Sequence, residues 1–102
     1  MNKAKVISEF KLSILKVDKD AIVILYGSRA RGDYRNDSDW DFLVLTELPE
    51  SKKTKDLFRD KIYDTELELE ESISTIIHNK HLWAEYEISP LYQSITKEGI
   101  RV

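Results

Sequence analysis

The chain has 102 residues, of which 41% are hydrophobic and 34% charged, which is enough for one small core and excludes a second. An excess of 19 acidic over 16 basic residues gives a net charge of −3, which excludes a general positive field for holding nucleic acid. Cysteine is absent, which excludes disulfides, thiolate metal sites and thiol nucleophiles. We expect a single domain over residues 1–102, whose thin margin of stability favours a homo- or hetero-oligomer.

The hydropathy pattern also bears on location. No apolar run approaches the roughly 20 residues needed to cross a bilayer, and no signal-peptide core follows the N-terminus. We therefore expect a cytoplasmic protein without a membrane partner.

The first half of the chain predicts a helix, a strand, a loop and a second strand. Apolar residues recur at three- and four-residue steps from Val6 to Val17, which is typical of an amphipathic helix. Residues 21–26 form an apolar run without a polar face, which predicts a central strand. A polar loop over residues 27–38 opens with a short helical turn, and the alternation over residues 39–46 predicts the second strand.

The middle of the chain is less clear. A helical pattern runs from about residue 53 into the late sixties, and a strand is expected from about Ser72. Residues 66–70 alternate in two-residue steps and could equally begin that strand. We favour the helix.

Capping signals predict two more helices near the C-terminus. Asn79 can cap a short helix through Trp83. A serine followed by proline predicts the start of a last helix at Pro90, which Gly99 ends. The whole order predicts an α/β or α+β fold, with a small mixed sheet flanked by helices.

The residues best suited to chemistry lie around the polar loop. Gly27 and Ser28 follow the first strand, where a missing Cβ lets a ligand reach backbone N–H groups and a hydroxyl can hold phosphate oxygens. Asp39 and Asp41 are two residues apart on the second strand, so both carboxylates project from one face, roughly 7 Å apart. Such a pair suits Mg²⁺, which prefers a few carboxylates together with substrate phosphates.

Plainer interpretations stay open for the same residues. The glycine and serine would also suit an ordinary strand-ending turn, and the aspartates a solvated strand end. A calcium loop is disfavoured because Phe42 and Leu48 stand where an EF-hand requires glycine and glutamate. Trp40 lies between the two aspartates, so strand alternation predicts that it faces the core.

Residues 27–41 as a set resemble the signature of the polymerase-β-like nucleotidyltransferase superfamily. The short chain is similar to the minimal, MNT-type members of that superfamily. The likeness is strongest over residues 25–32 and 37–41, and extends weakly to Trp83 and to residues 90–100.

The resemblance implies a polymerase-β-like nucleotidyltransferase fold and an NTP-dependent enzyme. An NMP group, expected to be AMP from ATP, would pass from a Mg²⁺-bound NTP to an acceptor hydroxyl with release of pyrophosphate. In this sequence the resemblance assigns Gly27 and Ser28 to the β- and γ-phosphates with help from Arg31, and two Mg²⁺ ions to Asp39 and Asp41.

The family normally has a third carboxylate on a later strand, and the aspartate expected at the head of the third strand is missing here. Glu71 is the nearest candidate for this catalytic position and Glu68 the second. Arg29 is expected to point outward. If neither glutamate reaches the site, the alternative is a catalytically weak nucleotide- or partner-binding module that neutralises a HEPN-type toxin by contact.

The resemblance also implies a partner. Minimal members of the family resemble antitoxins encoded beside HEPN-domain toxins, and some are thought to adenylylate a toxin tyrosine. A HEPN-type protein is therefore the expected acceptor. A nucleic-acid acceptor is disfavoured, because it would usually need a basic track that this sequence lacks.

Overall fold

A computed structural model describes residues 2–102 of the chain. Within these residues the elements are α1 (Lys3–Val17), β1 (Ile22–Tyr26), α2 (Ser28–Arg31), β2 (Trp40–Thr46), α3 (Lys52–Leu69), β3 (Ile73–Asn79), a 3₁₀ helix (Trp83–Tyr86), α4 (Pro90–Glu98) and β4 (Ile100–Arg101).

The strands form one four-stranded mixed sheet in the order β3-β2-β1-β4. β1 pairs antiparallel with β2 and with β4, whereas β2 pairs parallel with β3. A parallel pair needs a crossover connection, and α3 provides it. The predicted fold class, a small mixed sheet flanked by helices, is confirmed.

Helices α1 and α3 cover one face of the sheet, which we call the α1/α3 face. The aromatic rings of Phe10 on α1 and Phe42 on β2 stack with centroids 4.0 Å apart at its centre. Trp40 is 2% exposed and packs on this face, as its position between two aspartates predicts. The buried residues of this core are Val6, Phe10, Ile14, Val23, Leu25, Trp40, Phe42, Val44, Phe58, Ile62, Leu69, Ile73 and Ile77.

The opposite side of the sheet, which we call the α4 face, carries a smaller core. Leu43 and Leu45 of β2 pack there against Ile95 of α4. Side chains alternate along a strand, so Asp41 belongs to the α4 face while its neighbours Trp40 and Phe42 belong to the other. This layer places the polar end of β2 beside the end of α4.

The helix boundaries follow from local capping. The Asn2 side chain accepts from Lys5 N at 2.8 Å and starts α1. Ser51 does the same for α3 through Thr54 N, 3.2 Å away. Glu70 has φ 55°, which ends α3 and shows that the ambiguous residues 66–70 belong to the helix and its cap.

Two expectations for the C-terminal part were wrong. The short helix through Trp83 is instead a turn followed by the 3₁₀ helix: the Asn79 side chain accepts from His81 N and Leu82 N, 2.9 and 3.3 Å away. The strand β4 was not predicted, because its two residues are too few to show a period.

One property of the helices concerns membranes. Among residues 2–102, no helix is both long enough and apolar enough to span a bilayer.

Candidate active site

Gly27 forms the corner at which β1 ends. Its φ of +74° lies in the left-handed region, which glycine adopts without steric cost. A Cβ at this position would lie 3.1 Å from Cγ of Asp41 and would overlap the nearer carboxylate oxygen. The structure therefore brings the glycine corner and the second aspartate into direct contact, and leaves no room for another residue type at position 27.

β2 positions the two aspartates. Asp41 is opposite Tyr26 in the antiparallel register of β1 and β2, so its carboxylate stands beside the corner that follows Tyr26. Asp39 is exposed and directly precedes β2, whose first residue donates its N–H to Ser72 O at 2.9 Å. The strand thus fixes Asp41 from both sides and leaves Asp39 facing solvent.

The electrostatics show how close these groups are. Burial raises the pKa of Asp41 above its ordinary value, and the negative charge of Asp39 raises it further. The positive charge of Arg31 lowers the pKa of Asp41, and the Glu98 carboxylate again raises it. Asp41 is therefore a strained anion, and a cation at this position would relieve the repulsion.

Tyr26 shares this environment. Burial raises the pKa of the Tyr26 phenol to about 12, and the negative charges of Asp41 and Glu98 contribute to the rise. The ring lines the α4 face of the sheet, so it forms one wall beside the acid pair. Sequence analysis did not single out Tyr26 because a tyrosine at the end of a buried strand is usually a packing residue.

Arg31 and Glu98 form an ion pair at the mouth of the site. The Arg31 guanidinium donates to both carboxylate oxygens of Glu98, at 3.1 and 3.2 Å, and its Nε to Asp33 at 3.3 Å. The backbone N–H of Gly27 also donates to Glu98 Oε1, at 3.1 Å. Arg31 thus lies with the predicted residues, whereas sequence reasoning missed Glu98, which follows from its place in the last turn of α4 before Gly99.

Ser28 begins α2 directly after the glycine. The N–H groups of Ala30 and Arg31 donate to Gly27 O, each at 3.0 Å, and fold the turn back over the end of β1. Ser28 is half-buried, next to the corner that contacts Asp41. The serine is thus in the predicted place.

The expectation that Arg29 points outward was wrong. Its side chain is 7% exposed, and its guanidinium lies 4.4 Å from the ring centroids of both Tyr34 and Trp40. Nη2 donates to the carbonyl oxygens of Asn36 and Ser38, at 3.3 and 3.0 Å. Arg29 therefore ties down the loop that leads to Asp39, a role that no local pattern in the sequence indicates.

The structure does not bring Glu71 together with the aspartates. Its Oε2 accepts from Trp40 Nε1 at 3.3 Å, and Trp40 packs on the α1/α3 face. On β3 the residue in register with Asp41 is Ser74, which has no carboxylate. Glu68 is exposed on α3, in a groove with Lys16 and Lys61. The catalytic position assigned to Glu71 stays a prediction.

The donor set suits magnesium if a substrate completes it. Within residues 2–102, no group of three or more His, Cys, Asp and Glu side chains is arranged to hold a metal ion. Asp39 and Asp41 supply carboxylate oxygens, and Mg²⁺ binds one or two carboxylates plus phosphate oxygens and water in preference to an all-protein cage. The glycine corner leaves backbone next to Asp41, where a polyphosphate could approach.

A glycine-serine corner in contact with a strand-borne carboxylate is typical of proteins that transfer phosphoryl or nucleotidyl groups. The family model described as nucleotidyltransferase domain matches residues 7–102. The chain belongs to this family, and the predicted enzyme class, a nucleotidyltransferase, is confirmed with it.

One curated relative comes from Methanocaldococcus jannaschii (strain DSM 2661). It is named "Putative protein adenylyltransferase MJ0141" and is 43% identical over 58 residues, which cover 54% of this chain and 59% of that protein. The match thus spans less than two thirds of the relative's length.

A solved structure, described as a toxin-antitoxin with AMP-PNP, shares the fold. It aligns with a TM-score of 0.57 and 16% sequence identity, and covers 89% of this chain and 70% of the other. At this identity the likeness concerns the fold alone. It agrees with the predicted nucleotidyltransferase fold.

Proposed function

We propose that this protein transfers AMP from Mg²⁺-bound ATP to a hydroxyl group of a protein partner, and that the partner is a HEPN-type toxin. The observation that carries the proposal is the contact between Gly27 and the Asp41 carboxylate, which joins a phosphate-binding corner to a cation-binding group. The family membership and the name of the Methanocaldococcus relative support adenylyl transfer to protein.

The triphosphate would lie against the corner after β1. Gly27 presents its N–H without a side chain, Ser28 adds a hydroxyl, and the Arg31 guanidinium stands beside them. Backbone N–H groups and guanidinium both favour phosphate oxygens, and arginine does so with two parallel hydrogen bonds. These residues would bind the β- and γ-phosphates and orient the α-phosphorus toward Asp39 and Asp41.

Asp39 and Asp41 would hold the magnesium. When bound, two Mg²⁺ ions would neutralise charge on the attacking and leaving oxygens of the transfer. The chain's own part is to hold both carboxylates on a rigid strand, close enough for Asp39 to raise the pKa of Asp41. This repulsion favours cation binding.

The reaction balances without a covalent enzyme adduct. The acceptor hydroxyl oxygen forms a bond to the α-phosphorus, and the bond from that phosphorus to the bridging oxygen of the β-phosphate breaks. Pyrophosphate leaves, and the hydroxyl proton passes to a carboxylate or to water. Positioning and charge neutralisation supply the catalysis, as the small site requires.

The toxin partner is supported by the fold neighbour, which is described as a toxin-antitoxin with AMP-PNP, an ATP analogue. A protein acceptor also agrees with the net charge of −3, which gives no electrostatic advantage toward nucleic acid. A HEPN-type protein is the first acceptor to test.

The test is labelling with [α-³²P]ATP. The protein is incubated with ATP, Mg²⁺ and the product of the neighbouring reading frame, and label on that product is followed by gel. Asp39→Asn should abolish labelling and Asp37→Asn, an exposed aspartate of the same loop, should preserve it. [γ-³²P]ATP should give no label, because the γ-phosphate leaves in pyrophosphate.

A second candidate function has one observation in its favour. Glu71 is bonded to Trp40, and Ser74 occupies the β3 position beside Asp41, so a third carboxylate is not on the strand that usually carries it. The alternative is a module that binds nucleotide weakly and neutralises the partner by contact. Partner binding that Asp39→Asn leaves intact, with no labelling by the unmutated protein, would favour this module.

A further inference from the structure

Glu98 holds the two groups to which the proposed function assigns phosphate. Its Oε1 accepts from the backbone N–H of Gly27 at 3.1 Å, and both of its oxygens accept from Arg31. We propose that Glu98 is an internal substitute for the nucleotide phosphate, and that the triphosphate binds only when it displaces this carboxylate from Gly27 and Arg31. The inference rests on the proposed phosphate-binding role of these two residues.

The contacts match those of a phosphate in charge and geometry. A carboxylate and a phosphate group are both planar-edged or tetrahedral oxyanions that accept from one backbone N–H and from a guanidinium fork. The Glu98 side chain is 20% exposed, so it is seated in the site and does not extend into solvent. One N–H of Gly27 cannot donate a full hydrogen bond to both Glu98 and a phosphate oxygen, so the two anions compete.

Charge adds to the competition. Asp41 lies against Gly27, and the charge of Glu98 already raises the pKa of Asp41. A triphosphate brought beside Glu98 would add further negative charge to this cluster. The nucleotide would therefore be favoured in the state in which Glu98 has left.

The segment that carries Glu98 can move at small cost. β4 has two residues, and its pairing with β1 is supplemented by one hydrogen bond from Val102 N to Val23 O, 3.0 Å long. α4 has one buried residue, Ile95. Elements with so little buried area are those that open locally in native proteins. Nucleotide binding would thus be coupled to movement of the last turn of α4 and of β4.

The decisive variant is Glu98→Gln, which keeps the size of the side chain and removes the negative charge. The dissociation constants of ATP and of inorganic tripolyphosphate are measured by calorimetry on the full chain, with and without Mg²⁺. We expect Glu98→Gln to bind both about fivefold or more tightly than the unmutated protein, because removing a competitor raises the binding-competent fraction. Misfolding cannot produce a gain in affinity.

Glu85→Gln is the matched control, since Glu85 is an exposed glutamate on the 3₁₀ helix. It changes the net charge equally and should leave both affinities unchanged. Equal gains in the two variants would mean that net charge alone acts, and would overturn the proposal. Unchanged or weaker binding by Glu98→Gln, including a loss confined to Mg²⁺-containing buffer, would also overturn it, the latter by making Glu98 a cation ligand.

Failure of the proposed function looks different. In that case neither the unmutated protein nor Glu98→Gln binds ATP or tripolyphosphate, whereas failure of the present inference leaves binding by the unmutated protein intact. Hydrogen exchange gives a second readout. ATP should speed exchange of the amides of Gly99 and Val102 in the unmutated protein, and slower exchange of these amides would contradict displacement of the segment.

Discussion

The carboxylate of Asp41 occupies the space into which a side chain at position 27 would project. The backbone of Gly27 has a positive φ, and the aspartate stands opposite the residue before it in the β1-β2 register. Strand pairing and one missing Cβ together bring the two halves of the proposed site into contact. Neither feature alone would do so, because the loop between them contains more than ten residues.

Gly27→Ala is therefore expected to be more damaging than its conformation alone explains. A Cβ in the left-handed region costs about 1–2 kcal/mol, and here it would also push the Asp41 carboxylate aside. We expect lower stability in urea and loss of Mg²⁺-dependent ATP binding by calorimetry.

Gly32→Ala is the control for that substitution. Gly32 has φ +94°, but a Cβ there would meet nothing within 4 Å, so only the conformational cost applies. It should lower the free energy of unfolding by about 1–2 kcal/mol and leave ATP binding intact. Equal losses of binding in the two variants would remove the steric explanation.

Asp41 should lower the stability of the ligand-free protein at neutral pH. The folded protein raises the pKa of this carboxyl, chiefly by burial, so the folded state holds its proton more tightly than the unfolded chain does. Its stabilising contribution is present below the ordinary aspartate pKa of 3.8 and is lost as the pH rises through the raised value.

Asp41→Asn should thus unfold at a higher urea concentration than the unmutated protein at about pH 7, with the gain shrinking toward about pH 3.5. Asp37→Asn, at an exposed position, should show no such gain. A variant that is less stable than the unmutated protein at neutral pH would contradict the electrostatic strain. The gain should be accompanied by loss of Mg²⁺-dependent binding, as is common when a functional charge is removed.

Tyr26 reports on the same charges. Because burial, Asp41 and Glu98 raise the pKa of its phenol to about 12, Tyr26 should stay protonated when the pH is raised to about 10.5. In an absorbance titration at 295 nm, Tyr26→Phe should therefore give the same signal as the unmutated protein up to this pH. Asp41→Asn should shift the last phenol ionisation to lower pH. No shift would place the Asp41 carboxylate too far from the ring to act on it.

Much of the fold could be predicted because its patterns are local. The apolar run of β1 and the amphipathic pattern of α1 identify both elements from residue type alone, and the capping serine before Pro90 marks the start of α4. Strand alternation also assigned Trp40 to the core. The contact of Gly27 with Asp41 agrees with what the spacing of the motif predicted.

The remainder depends on contacts between residues distant in sequence. Glu98 reaches Gly27 across 71 positions, and no short-range pattern indicates that the end of a C-terminal helix meets the first turn. Arg29 was misplaced for a similar reason: an arginine in a polar loop is usually solvated, and only the packing of two aromatic rings around it stabilises its burial.

Arg29→Lys tests that structural role. The lysine would keep the charge but lose both the planar stacking between Tyr34 and Trp40 and the paired donation to the loop carbonyls. We expect a loss of about 1–3 kcal/mol in the free energy of unfolding in urea. Arg35→Lys, at an exposed position of the same loop, should cost less than about 0.5 kcal/mol. Comparable losses in the two variants would argue against the sandwich.

Glu71 offers the sharpest test of the predicted third carboxylate. A glutamine at this position can still accept from the Trp40 indole through its amide oxygen, so Glu71→Gln should preserve the fold and change only the charge. Because the Glu71 carboxylate is bonded on the side of Trp40, we expect label transfer from [α-³²P]ATP to stay within about twofold of the unmutated protein, whereas removal of an essential acid or base typically costs about 10²–10⁴-fold. Glu68→Gln, at an exposed position on α3, is the parallel variant. A hundredfold loss in Glu71→Gln with an unchanged urea midpoint would restore Glu71 to the reaction, and would require the junction between α3 and β3 to turn toward Asp41 when substrate binds.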